Sequence, residues 1–144
     1  MTETEQQILT LLKQQQAQLD ALLLLLRQEL DVLVSRDYLA LDTLTGEKTK
    51  LLSEIKSTDD QLATASGLPD CQQEAWFLDL VSALDARLEE CKSQTAVNQQ
   101  VLEQSQLTLD RLKNDILASR GKSGLTYTSK GKPAIENKGG GIKA

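Results

Sequence analysis

Residues that could act as nucleophiles or metal ligands are few and scattered in this chain. The sequence has no histidine and two cysteines, Cys71 and Cys91, with no Cys-x-x-Cys motif. Without histidine the chain lacks the usual general base, the Ser/His and Cys/His nucleophile pairs, and most zinc and haem sites. We therefore predict that the protein is not an enzyme and that it has no metal site and no cofactor.

Acidic pairs and glycine runs offer no better chemistry. Asp59–Asp60 and Glu89–Glu90 are adjacent in segments with a helical pattern, so their carboxylates point about 100° apart and do not converge on a substrate. Gly139, Gly140 and Gly141 have neither a strand before them nor a helix after them, as a phosphate-binding loop requires. We interpret the acidic pairs as solvated helix faces.

Charge and hydropathy exclude two further classes of partner. The formal net charge is −5, and the last 24 residues contain five lysines, no arginine and one glutamate, so residues 1–120 carry the acidic excess. We expect no nucleic acid partner, because base stacking and guanidinium contacts are scarce in that tail. The longest uncharged apolar run, Ala21 to Leu26, is far shorter than the roughly 20 residues that span a bilayer, so we expect no membrane insertion.

The cysteines and the N-terminus indicate a compartment. The cysteines are isolated, and the N-terminus lacks the basic, apolar and small-residue zones of a secretory leader. This usage favours a reduced, cytoplasmic setting without a structural disulfide.

Leucine supplies most of the apolar content, and aromatic residues make up 3% of the chain. Leucine is a good helix former, whereas sheets favour β-branched and aromatic residues. The predicted fold is all-α: an antiparallel three-helix bundle or coiled coil with helices over about 3–34, 37–65 and 72–119. The first helix shows the spacing of one buried stripe, at Ile8, Leu12, Leu19, Leu22, Leu26, Leu30 and Leu33.

Two interruptions separate the predicted helices. Ser35 and Asp37 offer side-chain oxygens that can cap a new helix. Gly67 and Pro69 mark the second turn, with Gly67 as the residue that ends helix two. Between the turns Lys48 takes a stripe position, where we expect its stem to be buried and its charge to stay in water.

The third helix has a heptad seam and is long enough to overhang its partners. Polar seam residues at Thr95, Asn98 and Ser105 either fix the register of a partner helix or loosen the packing, and we favour looseness for lack of a matched partner. The seam positions are Val81, Leu84, Leu88, Cys91, Thr95, Asn98, Leu102, Ser105, Leu109, Leu112 and Ile116.

Residues 121–144 differ in composition from the helical domain at 1–120. They contain six of the eight glycines and five lysines, so we predict a flexible, disordered tail that buries too little apolar surface to order itself.

Two groups of apolar residues on the third helix need other apolar surface to cover them. Trp76 and Phe77 open the third helix, and we favour a core role for one of them, at the bundle end near the second turn, over a partner pocket. The distal part of that helix requires a cover from self-association, which leaves a homodimer open, or from another protein's amphipathic helix. Its apolar residues are Leu102, Leu109, Leu112, Ile116 and Leu117.

Two segments carry a pattern of charged, apolar and aromatic residues beyond simple helical periodicity. The first contains Glu29, Leu33, Arg36, Asp37, Leu41, Leu44, Lys48, Leu51, Leu52 and Ile55. The second has Leu125, Thr126 and Tyr127 followed by Gly131. The first segment resembles the FlgN family of flagellar export chaperones, and the second is similar to that family's short motif of a tyrosine and a glycine after the last long helix.

This resemblance implies a cytoplasmic chaperone of hook-filament junction proteins, the hook-associated proteins. It implies that the chaperone binds their C-terminal helical segments, prevents premature assembly, and delivers them to the gate of the flagellar type III export apparatus. Cargo binding then falls on residues 102–117, and docking at the export gate protein on Tyr127 and Gly131. The export ATPase complex is left open as a further partner, and the extension from Lys132 is not matched.

A second interpretation stays open at this point. The chain could instead be a structural coiled-coil subunit or adaptor with a permanent helical partner. A structural rod has no need of a Leu-x-Tyr motif in a disordered tail, whereas a protein that hands over cargo does.

Overall fold

The computed structural model describes residues 1–122, which form four α-helices. They are α1 (Glu3–Ser35), α2 (Tyr38–Ala63), α3 (Leu68–Cys71) and α4 (Ala75–Lys122), and this described part of the chain has no β-strand. The three long helices pack against each other, which confirms the predicted all-α bundle.

Side-chain caps define the ends of α1 and the start of α2. Thr2 and Glu5 form a reciprocal capping box at the start of α1, with the Glu5 N–H donating to Thr2 Oγ1 at 3.1 Å. Arg36 ends α1 in the left-handed conformation with φ 59°. Asp37 Oδ1 then accepts from the Ala40 N–H at 3.1 Å, so the chain reverses within two residues and α2 returns along α1.

The second turn differs from its prediction. Gly67 has φ −89°, so it is not the left-handed glycine expected after helix two, and Pro69 lies in the first turn of α3 instead of following a loop. Glycine is needed here for space: a Cβ at Gly67 would lie 2.0 Å from Thr4 Cγ2. The turn is therefore held directly against the start of α1.

Helix α4 runs parallel to α1. The Arg87 guanidinium pairs with Asp20 at 2.7 Å, the Cys91 thiol donates to the Leu19 carbonyl at 3.7 Å, and Asn98 lies against Leu26. Two chain reversals separate α1 from α4, so the two helices run in the same direction.

The apolar core is built mainly from α1. Trp76 and Phe77 pack against it as an edge-to-face pair with centroids 6.0 Å apart, so both rings take the core role. The buried core residues are Ile8, Leu11, Leu12, Leu19, Leu22, Leu23, Leu26, Leu62, Cys71, Leu84 and Cys91.

A buried polar cluster joins α1, α2 and α4. Glu29 Oε2 accepts from Lys48 Nζ and Glu29 Oε1 accepts from Asn98 Nδ2, both at 2.8 Å. Asn98 Nδ2 also donates to the Leu26 carbonyl at 2.8 Å, and Asn98 Oδ1 accepts from Gln94 Nε2 at 3.0 Å. We call Glu29, Lys48, Gln94 and Asn98 the Glu29 cluster.

The Glu29 cluster corrects one expectation and extends another. Asn98 is 3% exposed with its polar atoms bonded, so looseness is the wrong interpretation at this position. The Lys48 side chain stays 28% exposed, and its ammonium also donates to a carboxylate of α1, because Glu29 occupies the facing position.

The predicted seam of α4 consists of two rows of positions spaced by seven residues, and one of these rows is wrong. Leu84, Cys91 and Asn98 are buried as expected, but Leu88, Thr95 and Leu102 are exposed. The partly buried positions instead lie one residue earlier, at Leu80, Arg87, Gln94 and Val101. Arg87 and Gln94 make polar contacts from these positions, with Asp20 and Asn98, and a count of apolar residues does not detect them.

The chain divides into two compact units, Met1–Leu102 and Glu103–Ala144. The first contains α1, α2, α3 and the first part of α4. The described part of the second is the remainder of α4, where every side chain from Gln106 to Arg120 is exposed. The predicted tail at 121–144 lies outside the described residues except for the end of α4 at Lys122.

Two glycine substitutions test the packing of the second turn. Gly67→Ala should lower the free energy of unfolding by about 1 kcal/mol or more, because the new methyl group overlaps Thr4. Gly46→Ala, at an exposed position of α2 with nothing within 4 Å of the new Cβ, should raise it by about 0.5–1 kcal/mol through helix propensity. Urea unfolding followed by circular dichroism measures both.

Thr4→Ala combined with Gly67→Ala serves as the control, since removal of Thr4 Cγ2 should recover part of the loss. If Gly67→Ala alone is as stable as the parent chain, the close contact with α1 is refuted.

Candidate functional site

The candidate site is a stripe of apolar side chains on the last part of α4. Four predicted cargo-binding residues, Leu109, Leu112, Ile116 and Leu117, line one shallow depression together with Lys113 and Arg120. Leu109, Leu112 and Ile116 are spaced by three and four residues, which places them on one helix face, and Leu117 widens this face by one residue. We call the four apolar residues the distal stripe.

The distal stripe is accessible. Its four side chains are between 44% and 55% exposed. Leu102, the fifth predicted residue, is 38% exposed and belongs to the first unit. We therefore treat Leu102 separately from the four residues that line one surface.

The sequence of α4 favours helix over the whole distal stripe. From Gln72 to Ser119 there is no glycine or proline, and leucine, glutamine, lysine and arginine are good helix formers. Thr108 bonds back to the Gln104 carbonyl at 3.0 Å, which satisfies its hydroxyl within the helix. A regular helix can hold the stripe in place without other elements.

The chemistry of the stripe is that of a binding surface. Leucine and isoleucine side chains gain free energy when a partner removes them from water, and anchors at i, i+3 and i+7 are the pattern by which helices recognise helices. Lys113 and Arg120 add positive charge beside the apolar residues. These side chains provide no nucleophile.

The two cysteines lie elsewhere and are not activated. Both are buried free thiols. Burial raises the pKa of Cys71, with a further contribution from nearby Glu5, Asp70 and Glu74, and burial raises the pKa of Cys91 as well. A thiol whose pKa is raised is a poor nucleophile at neutral pH, and the described residues contain no cluster of metal ligands.

The sequence analysis missed a second apolar depression, at the reversal between α1 and α2. Exposed Val34, Tyr38 and Leu39 lie at the same reversal, and Leu39 is 86% exposed. The sequence signal for this depression is the presence of large apolar residues, outside the helical stripes, on both sides of a capped turn. The depression is lined by Gln28, Asp31, Val32, Ala40, Thr43 and Leu44.

Tyr127 and Gly131, the predicted gate-docking residues, lie outside the described residues. No helix in the described part of the chain is both long and apolar enough to cross a membrane.

Comparison with known protein families decides the kind of protein. The sequence model of the FlgN family, described as FlgN protein, matches residues 1–135. The chain belongs to the FlgN family. FlgN proteins are flagellar export chaperones that bind export substrates, so the resemblance found in the sequence is confirmed. No curated protein and no solved structure matches the chain.

The extent of the FlgN match bears on the tail. It includes Tyr127 and Gly131 and ends at Ile135. The FlgN pattern thus extends slightly beyond Gly131, where the resemblance in the sequence stopped, and nine residues remain outside it.

The exposure of the distal stripe predicts that polar substitutions there leave the fold intact. The double variant Leu109→Asp, Leu112→Asp should change the free energy of unfolding by no more than about 0.5 kcal/mol per substitution, as at other exposed positions. Circular dichroism and thermal unfolding would measure this. Loss of helix, or a clearly lower melting temperature, would show instead that these leucines pack within the protein.

Proposed function

We propose that this FlgN-family chain is a cytoplasmic chaperone of hook-filament junction proteins. It binds their C-terminal helical segments on the distal stripe, prevents their premature assembly, and delivers them to the export gate protein of the flagellar type III apparatus. The observation that carries this proposal is the exposed stripe at Leu109, Leu112, Ile116 and Leu117 in a family of export chaperones.

The size of the stripe fits cargo that is later released. Complete burial of a leucine or isoleucine gains roughly 1.5–3 kcal/mol, and these residues are about half exposed, so each has about 1 kcal/mol to gain. Four such residues supply about 4 kcal/mol, which is about half of the roughly 8 kcal/mol that corresponds to a micromolar dissociation constant. A permanent coiled-coil subunit would offer a longer apolar seam.

Cargo capture tests the stripe directly. The double variant Leu109→Asp, Leu112→Asp should weaken binding of a purified junction protein by about thirtyfold or more, because about 2 kcal/mol of apolar contact is lost and two carboxylates meet the partner. Isothermal titration calorimetry with the junction protein measures the affinity.

Gln104→Asp combined with Asn114→Asp provides the matched control. Both residues are exposed on α4, outside the lining of the depression, and the pair adds the same charge. Binding should stay near the parent value in this control. Equal binding by both double variants would refute the stripe as the cargo site.

Delivery tests Tyr127, which the FlgN match includes. A tyrosine ring that fills a desolvated pocket on a partner can contribute about 2 kcal/mol or more. Tyr127→Ala should therefore keep cargo binding and reduce export of junction proteins into the culture medium. Tyr127→Phe, which keeps the ring, should retain more export than Tyr127→Ala.

The structural-subunit interpretation makes the opposite prediction for the same pair of measurements. A coiled coil with a permanent partner has no delivery step. Under this interpretation no variant should keep partner binding and lose export. Unchanged export in cells that carry Tyr127→Ala would remove the support for a gate-docking role.

A further inference from the structure

The leucine row of α1 does not by itself define one alignment of α4. In α1 a buried leucine recurs every seven residues, at Leu12, Leu19, Leu26 and Leu33. Helix α4 presents Leu84, Cys91 and Asn98 to this row with the same spacing, and Cys91 lies at Leu19 while Asn98 lies at Leu26. A shift of α4 by seven residues would again place its row against leucines.

The polar contacts, in contrast, have one solution. If α4 shifts by seven residues in one direction, Asn98 faces Leu33. Cys91 then takes the place of Asn98 near Glu29, where a thiol replaces the amide donor. Shifted the other way, Asn98 faces Leu19, a heptad away from Glu29. In both cases Glu29 Oε1 loses its amide donor and Asn98 loses its carboxylate partner, and leaving such groups unpaired in a packed interface is unfavourable.

We propose that the Glu29 cluster is a register lock, which holds α4 at one longitudinal position on the leucine row of α1. A single buried asparagine selects register in this way in coiled coils, at some expense in stability. Asn98 is the selecting residue on α4 and Glu29 the selecting residue on α1, while Lys48 and Gln94 hold the carboxylate and the amide in orientation. The surface pair of Arg87 and Asp20 adds little, because the two side chains are 38% and 52% exposed and exposed ion pairs contribute little to stability.

The connection between the helices does not impose the register. Seven residues, Leu68 to Glu74, lie between Gly67 and α4, and when extended they span up to about 23 Å. A helical residue rises about 1.5 Å, so extending all seven residues from helical spacing would lengthen the segment by up to about 13 Å, against the roughly 10 Å that a seven-residue shift requires. Unwinding α3 would expose Cys71, and the shift would move Trp76 and Phe77 from their places against the core, which opposes the shift without forbidding it.

Distances between spin labels on α1 and α4 test the lock. Nitroxide labels at Ala17→Cys and Ala96→Cys, both exposed positions in the first unit, give one distance in the parent chain by double electron–electron resonance. With Asn98→Leu added, we expect a second maximum, displaced by up to about 10 Å. The chain without new cysteines, labelled in parallel, reports any reaction of the buried thiols.

Matched variants separate register from general packing. Thr95→Leu adds the same side chain at an exposed position of α4 and should keep a single distance. Glu29→Gln retains an oxygen acceptor for Asn98 and should also keep it, whereas Glu29→Leu should not. Asn98→Ala removes the amide without adding side-chain volume. If Asn98→Leu fails to fold, the label distance is measured in Asn98→Ala instead.

The lock is overturned if Asn98→Ala and Glu29→Leu both keep the single distance of the parent chain, since the connection and the apolar core then suffice to align α4. It is also overturned if Thr95→Leu produces the second distance, because added apolar volume and not the lost amide would then move the helix. Neither outcome bears on cargo binding or export.

Discussion

The arrangement of the three long helices depends on one buried carboxylate. Glu29 lies between Leu26 and Leu33 on an α1 face whose other buried residues are leucine and isoleucine. It accepts from Lys48 of α2 and Asn98 of α4 at 2.8 Å each. A carboxylate removed from water is unfavourable unless its oxygens are paired, and removing one partner of such a group leaves an uncompensated charge. Both neighbours of α1 are therefore tied to one point, in a bundle whose apolar contacts are repetitive.

This constraint explains how a leucine-rich chain attains one structure. Leucines at heptad spacing stabilise many helix alignments almost equally, because the hydrophobic effect is non-directional. Hydrogen bonds are directional, so a single polar contact distinguishes alignments that apolar burial does not. In this FlgN-family chain the core provides the free energy of association, and the Glu29 cluster provides the alignment.

The same helix serves packing and recognition along different parts of its length. Up to Asn98, α4 buries Leu84 and Cys91 in the core, and from Gln106 to Arg120 it buries nothing. Helix formation in the distal part relies on residue propensity, with no glycine or proline to interrupt it. Such a surface is accessible to a partner helix and costs the first unit no core contact when the partner leaves.

The sequence by itself determined the three long helices, the reversal capped by Asp37, the apolar stripe of α1 and the FlgN family, because each depends on residue type and local spacing. The tertiary structure decided the rest. It rotated α4 so that Arg87 and Gln94 replaced Leu88 and Thr95 at the interface, and it required glycine at position 67 for a contact with Thr4. It also paired Lys48 and Asn98 with a carboxylate 19 and 69 residues away. Periodicity reports which residues share a helix face, but the partner of a buried polar atom is set by distances between helices, which the order of residues along one helix does not contain.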